Sequence, residues 1–117
     1  MKLKDVVEQL RLQVRSGGDG LQREVTGGYV SDLLSDVMAN TKAGNVWVTL
    51  QIHQNIVAVA TLNELVGIIL VNGREPEEGT LQKARAEGVP LMVSEWSAFE
   101  VAGRLFHMGI RAGDGSA

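Results

Sequence analysis

The stretch His53-Gln54-Asn55-Ile56-Val57-Ala58-Val59-Ala60 decides how this chain folds, because it admits two readings. Propensity favours a strand: Ile56, Val57 and Val59 are β-branched, and a hairpin turning at His53-Gln54-Asn55 would pair them with the strand-like residues 46–50. Context favours a helix. The run Val66-Gly67-Ile68-Ile69-Leu70-Val71 is almost wholly apolar and needs cover on both faces, as the central strand of a parallel sheet does. A helix over about 54–62 supplies that cover and closes a βαβ unit between residues 46–50 and 66–71. We read the segment as helix, with the hairpin as the alternative.

Working outward, residues 24–30 form a strand, and the pair Gly27-Gly28 inside it implies a bulge or a turn at its end, with a positive φ or a close approach to the backbone expected at Gly28. Ser31 and Asp32 then stand as N-caps of a helix whose inner face is Leu33, Leu34, Val37 and Met38. In residues 46–50, Val46, Val48 and Leu50 share one face and Trp47 and Thr49 the other. Beyond the central run, Asn72-Gly73 marks a loop, Thr80 caps a helix to about 87, and 89–93 is a strand. Ser97-Ala98-Phe99-Glu100 fits a capping box and opens the last helix. At the N-terminus, Leu3, Val6, Val7 and Leu10 recur at helical spacing, followed by a short extended piece over 12–14. The glycine run 16–20 lacks the Gly-Lys-Ser/Thr ending of a phosphate loop and reads as a turn.

Composition narrows the classes. A length of 117 residues suits one domain, expected over 1–112, with a disordered tail at 113–117. The net charge of −3 offers no electrostatic case for nucleic acid. No cysteine is present, which removes disulfides, thiolate chemistry and cysteine-ligated metals. The N-terminus is charged where a signal peptide would be apolar, and no apolar run approaches the ~20 residues of a membrane span. A cytoplasmic protein without a cofactor is expected.

With parallel strands, the carboxyl ends share one edge and the departing helices aim their N-termini at it. That edge is expected to gather Thr26, Gly27, Gly28, Ser31 and Asp32, then Gln51, His53 and Asn55, then Asn72 and Gly73, then Ser94 and Ser97. Uncharged donors dominate this set, which suits a small anion, a nucleotide phosphate or a base edge better than a metal. The plainer reading is that all are caps and turn residues. Asp32 and Asp36 stand four residues apart on one helical turn, where paired carboxylates or first-turn charges are both readable.

Val25-Thr26-Gly27-Gly28, followed by Tyr29-Val30-Ser31-Asp32-Leu33-Leu34-Ser35-Asp36, resembles the stand-alone form of the DRTGG domain family. The likeness continues through Val46-Trp47-Val48-Thr49-Leu50-Gln51, His53, Asn55 to Ala60, Gly88-Val89-Pro90 and Ser97-Ala98-Phe99-Glu100, and so covers nearly the whole chain. Glu24 and Val25 occupy the positions of the family's Asp-Arg pair, so no role of that arginine carries over. The resemblance implies a three-layer α/β fold, a mainly parallel sheet flanked by helices. That fold is similar to the N-terminal domain of the HPr serine kinase and, more distantly, to those of Mur ligases. It also implies a helix over 55–60 and a regulatory or ligand-sensing module with no catalytic residue.

The leading expectation is therefore a non-catalytic domain that binds a small molecule or nucleotide and acts as a homodimer or through a protein partner. Two alternatives stand beside it: a small enzyme or phosphotransfer acceptor using His53 with Ser31 or Asp32, and a dimerisation module without ligand.

Overall fold

Residues 66–71 do lie at the centre, and the reason is visible in what covers them. The computed structural model describes residues 1–113. Its five-stranded sheet has the order β1-β5-β4-β3-β2, with β1 Gln13–Ser16, β2 Gly27–Val30, β3 Asn45–Thr49, β4 Gly67–Leu70 and β5 Leu91–Val93. Strands β2 to β5 are parallel, and β1 joins β5 antiparallel. Ile68, Ile69 and Leu70 of the middle strand are fully buried.

The parallel strands follow one another across the sheet in chain order. Each right-handed crossover then deposits its helix on the same face. Accordingly α2 (Leu34–Asn40), α3 (Asn55–Leu62) and α4 (Glu78–Glu87) pack Val37, Ile56, Val57, Val59, Ala60 and Ala84 against Trp47, Ile68 and Leu70. The other face is covered by α1 (Leu3–Leu10) and α5 (Ala98–His107), whose Leu3, Val6, Leu10, Val101 and Leu105 meet Val46, Val48, Ile69 and Met92. Alternate residues of β3 and β4 thus enter opposite cores, as the strand period requires. The segment 55–62 is helix: its β-branched residues are buried under β3 and β4, and burial overrides their local preference.

Three local expectations are corrected. Strand β2 begins at Gly27, and the residues before it make only an isolated bridge between Lys2 and Glu24. Ser31 and Asp32 do not cap α2, whose N-cap is Leu33 without a side-chain bond. Thr80 lies inside α4, and its hydroxyl donates to the Ile52 carbonyl at 2.7 Å. Ser97 does cap α5, accepting from the Glu100 amide at 3.3 Å. Of the tail expected over 113–117, Gly113 is described and its carbonyl accepts from Asn45 Nδ2 at 2.6 Å, and 114–117 lie outside the described residues. No helix among the described residues is long and apolar enough to cross a membrane.

Ile69 lies fully buried in the middle strand, so Ile69→Asp places an unpaired charge where no partner exists. We expect this variant not to fold. Cooperative unfolding of soluble Ile69→Asp protein in denaturant would contradict the central placement.

Candidate functional site

Four connections meet at the carboxyl edge of the parallel strands, and the loop after β4 bonds to those after β3 and β5. Asn72 and Gly73 both adopt left-handed backbone, with φ of 57° and 66°, which an Asn-Gly pair tolerates. The turn aims two amides across at the loop after β5: Asn72 N donates to the Trp96 carbonyl and Gly73 N to the Ser94 carbonyl, each at 2.8 Å. Arg74 reaches the other way, donating from Nη1 to the Leu50 carbonyl at 2.9 Å. Glu75 accepts two bonds from Arg15, 2.8 Å from Nε and 2.7 Å from Nη2, anchoring the loop to β1. This bidentate pairing raises the Arg15 pKa and lowers that of Glu75.

Adjacent strands β4 and β5 send their helices to opposite faces, α4 to one and α5 to the other. This divergence is the position at which open α/β sheets form a ligand crevice. Ser94 is buried there, its hydroxyl accepting from the Trp96 amide at 3.1 Å, while Asn72, Arg74 and Ser97 are exposed. Gln51, His53 and Asn55 lie on the neighbouring connection after β3.

The carboxylates are engaged in structure. Asp32 Oδ1 accepts from Thr49 Oγ1 at 2.8 Å and from the Leu50 amide at 2.7 Å, and Gln51 Nε2 donates back to the Asp32 carbonyl at 2.9 Å. Asp36 accepts from the Tyr29 hydroxyl at 2.9 Å on each oxygen and from Asn40 Nδ2 at 2.9 Å. The Ser31 hydroxyl and then that of Tyr29 hold the Asp36 pKa below its ordinary value, and the bond to Asp36 pushes that of Tyr29 up. The two aspartates therefore serve separate networks and do not form an acid-base pair. His53 Nδ1 accepts the Asn55 amide at 3.2 Å, and among the described residues no hydrogen bond joins His53 to Ser31 or Asp32.

The sequence places Thr26, Gly27 and Gly28 at this edge, but the structure puts them at the opposite one. Gly27 and Gly28 pair with Asn45 and Val46 at the amino ends of β2 and β3. Thr26 Oγ1 donates to the Ala43 carbonyl at 2.7 Å and accepts from Asn45 Nδ2 at 3.2 Å, and the same Nδ2 donates to the Gly113 carbonyl at 2.6 Å. The Gly28 amide donates to the Arg111 carbonyl at 2.9 Å. Neither glycine has positive φ. Close approach is what demands them: a Cβ on Gly27 would stand 2.7 Å from the Arg111 carbonyl oxygen, and one on Gly28 would stand 3.3 Å from Ile110 Cγ2. The Thr-Gly-Gly motif latches the segment after α5 onto β2.

Nine expected residues, Ser31, Asp32, Gln51, His53, Asn55, Asn72, Gly73, Ser94 and Ser97, do lie on the carboxyl-edge connections. Sequence reading missed Thr49, Arg74 and Thr80, whose bonds cross between connections. Only Arg74, the first charge after the Asn-Gly turn, carried any signal.

No protein-family model matches the chain, and no curated protein matches it in sequence. Among solved structures, it is similar to the CBS and DRTGG domains of the regulatory region of Clostridium perfringens pyrophosphatase, complexed with the activator diadenosine tetraphosphate. The TM-score is 0.67 at 10% identity, over 87% of this chain and 44% of that one. The chain thus spans less than half of that regulatory region, and at this identity the two share a fold. A structure containing a DRTGG domain therefore has the architecture that the sequence resemblance implies.

Two outcomes test this account. Gly27→Val should destabilise by about 1–3 kcal/mol and Gly28→Val by less, measured by chemical denaturation, since the first forces backbone apart and the second displaces a methyl group. Tyr29 is the only tyrosine, so tyrosinate absorbance titrates it alone. Its midpoint should lie above the ordinary value of about 10 and return towards it in Asp36→Asn. The raised pKa adds stability below about pH 10 that is lost as pH rises through the folded value. The lowered Asp36 pKa adds stability above about pH 4 that is lost as pH falls.

Proposed function

We propose that this chain is a DRTGG-like regulatory module that senses a small polar ligand, a nucleotide or other phosphate-bearing metabolite, and has no chemistry of its own. The observation that carries the reading is the divergence of α4 and α5 from adjacent parallel strands. It sets exposed Asn72 and Arg74 beside the Ser94 loop at the carboxyl edge of the sheet. Exposed Arg74 supplies a cation for a phosphate, and Asn72, Gln51, His53 and Asn55 on the same edge supply further polar groups. Asp32 and Asp36 accept internal hydrogen bonds in separate networks, which speaks against their working as a pair of acid and base. The architecture shared with the regulatory region of a pyrophosphatase supports a role that modulates activity elsewhere.

A thermal-shift screen against nucleotides and phosphorylated metabolites tests the reading. A ligand at a hundred times its dissociation constant should stabilise by about 2.7 kcal/mol. Arg74→Ala should abolish the shift while changing the melting temperature of the free protein little. A panel without any stabilising compound, or a shift that survives Arg74→Ala, would count against this site.

A further inference from the structure

The last helix is apolar on two sides, and only one of them is covered. Val101 and Leu105 enter the core, whereas Phe99 is 89% and Phe106 59% exposed. These two rings stand seven residues apart on one stripe, with Ala102 and Gly103 between them. Grooves flank the helix on either side: about 250 Å³ towards α1, lined by Gln9, Arg104 and His107, and about 300 Å³ towards β2, lined by Tyr29, Val30 and Leu105. The Arg111 guanidinium lies 3.7 Å over the Phe106 ring, and Arg104 lies 3.8 Å over Trp96 while bonding Glu100 at 2.8 Å. Isolated exposed apolar residues need no explanation, but two aromatic ridges with small residues between them and grooves beside them mark a contact surface.

We propose that this face of α5 is the contact between two copies of the chain, packed antiparallel about a two-fold axis passing between Ala102 and Gly103. A two-fold contact requires one patch to be complementary to itself. The sequence meets that requirement position by position. With the axis there, Phe99 lies opposite Phe106 of the second copy, and Ala102 opposite Gly103, where small side chains let the helices approach closely. Glu100 falls level with Leu105 of the second copy, between that copy's Arg104 and His107 on the same flank. The acidic first half of each helix thus meets the basic second half of the other, and the antiparallel dipoles add to the match. A partner of unrelated sequence would not require this internal symmetry of rings, small residues and charge. The inference does not depend on the ligand reading, since a ligand-free dimer satisfies it.

Sedimentation equilibrium at about 100 μM, where a dimer of micromolar affinity is mostly associated, reads the state directly. The wild type should be a dimer, and so should Leu62→Asp, which alters an exposed residue of α3 on the opposite face. Phe99→Asp should be a folded monomer that melts cooperatively, at a temperature independent of concentration and below that of the wild-type dimer, because the ring it removes is 89% exposed in its own chain. The chain has no cysteine, and a Cβ at Gly103 meets nothing within 4 Å, so Gly103→Cys is a clean probe. It should cross-link to a single dimer band on oxidation. A monomeric wild type, a dimeric Phe99→Asp, or a Gly103→Cys dimer that does not cross-link would each overturn the proposal.

Discussion

Burial of both faces of the strand Gly67–Leu70 is the constraint on which the rest of the molecule depends. Its side chains alternate between two cores, Ile69 to one side and Ile68 and Leu70 to the other. Neither core survives without its own layer of helix. That demand forces residues 55–62 out of the strand their β-branching prefers, because a hairpin there would leave one face of the sheet uncovered. Uniform stepping of the parallel strands then places α2, α3 and α4 together, leaving α1 and α5 to cover the other side.

The two edges of the sheet differ in what they hold. At the amino edge, Asn45 is fully buried and joins Thr26 and the Gly113 carbonyl through one amide nitrogen. At the carboxyl edge, the loop after β4 bonds to the connections after β3 and β5 and to β1. Buried polar groups at both edges find partners, and among the described residues none of the buried side-chain nitrogen or oxygen atoms lacks one. The polar groups that remain in water, Asn72, Arg74, His53 and Asn55, stand on a scaffold that is already fixed. Binding there would therefore order few new groups, which favours recognition of a small ligand.

Periodicity and turn chemistry made most of the architecture legible. Residues 66–71 declared themselves by lacking any polar face, Asn72-Gly73 as a loop by its composition, and Ser97 by its spacing from Glu100. The edge assignment of Thr26, Gly27 and Gly28 was not legible, because a glycine pair looks the same whether a ligand or the chain's own later segment approaches it. Likewise Asp32 and Thr80 belong to residue types that cap helices. Their actual partners, Thr49 and Leu50 for Asp32 and Ile52 for Thr80, are brought near only by the tertiary fold. Local pattern identifies a residue able to bond nearby backbone, and it carries no information on a competing partner supplied from another strand.

One short segment connects the proposed ligand edge to the exposed face of α5. The Asn72 amide bonds the Trp96 carbonyl, Trp96 carries Arg104 on its ring, and Arg104 bonds Glu100 on the flank of the Phe99 stripe. Gly73 binds Ser94 two residues earlier, so the Asn-Gly turn grips both ends of the stretch that leads into the helix. Proximity of this kind does not amount to coupling, which requires two arrangements of the segment that ligand and dimer prefer unequally. The segment has the physical means for that. Its hold on α5 runs through a cation-π stack and an ion pair near the surface, interactions of about 1 kcal/mol or less, and so can be exchanged for others at small cost. If the carboxyl edge binds the proposed ligand, weak contacts of this kind are the ones through which a modest binding energy at one surface could bias the other.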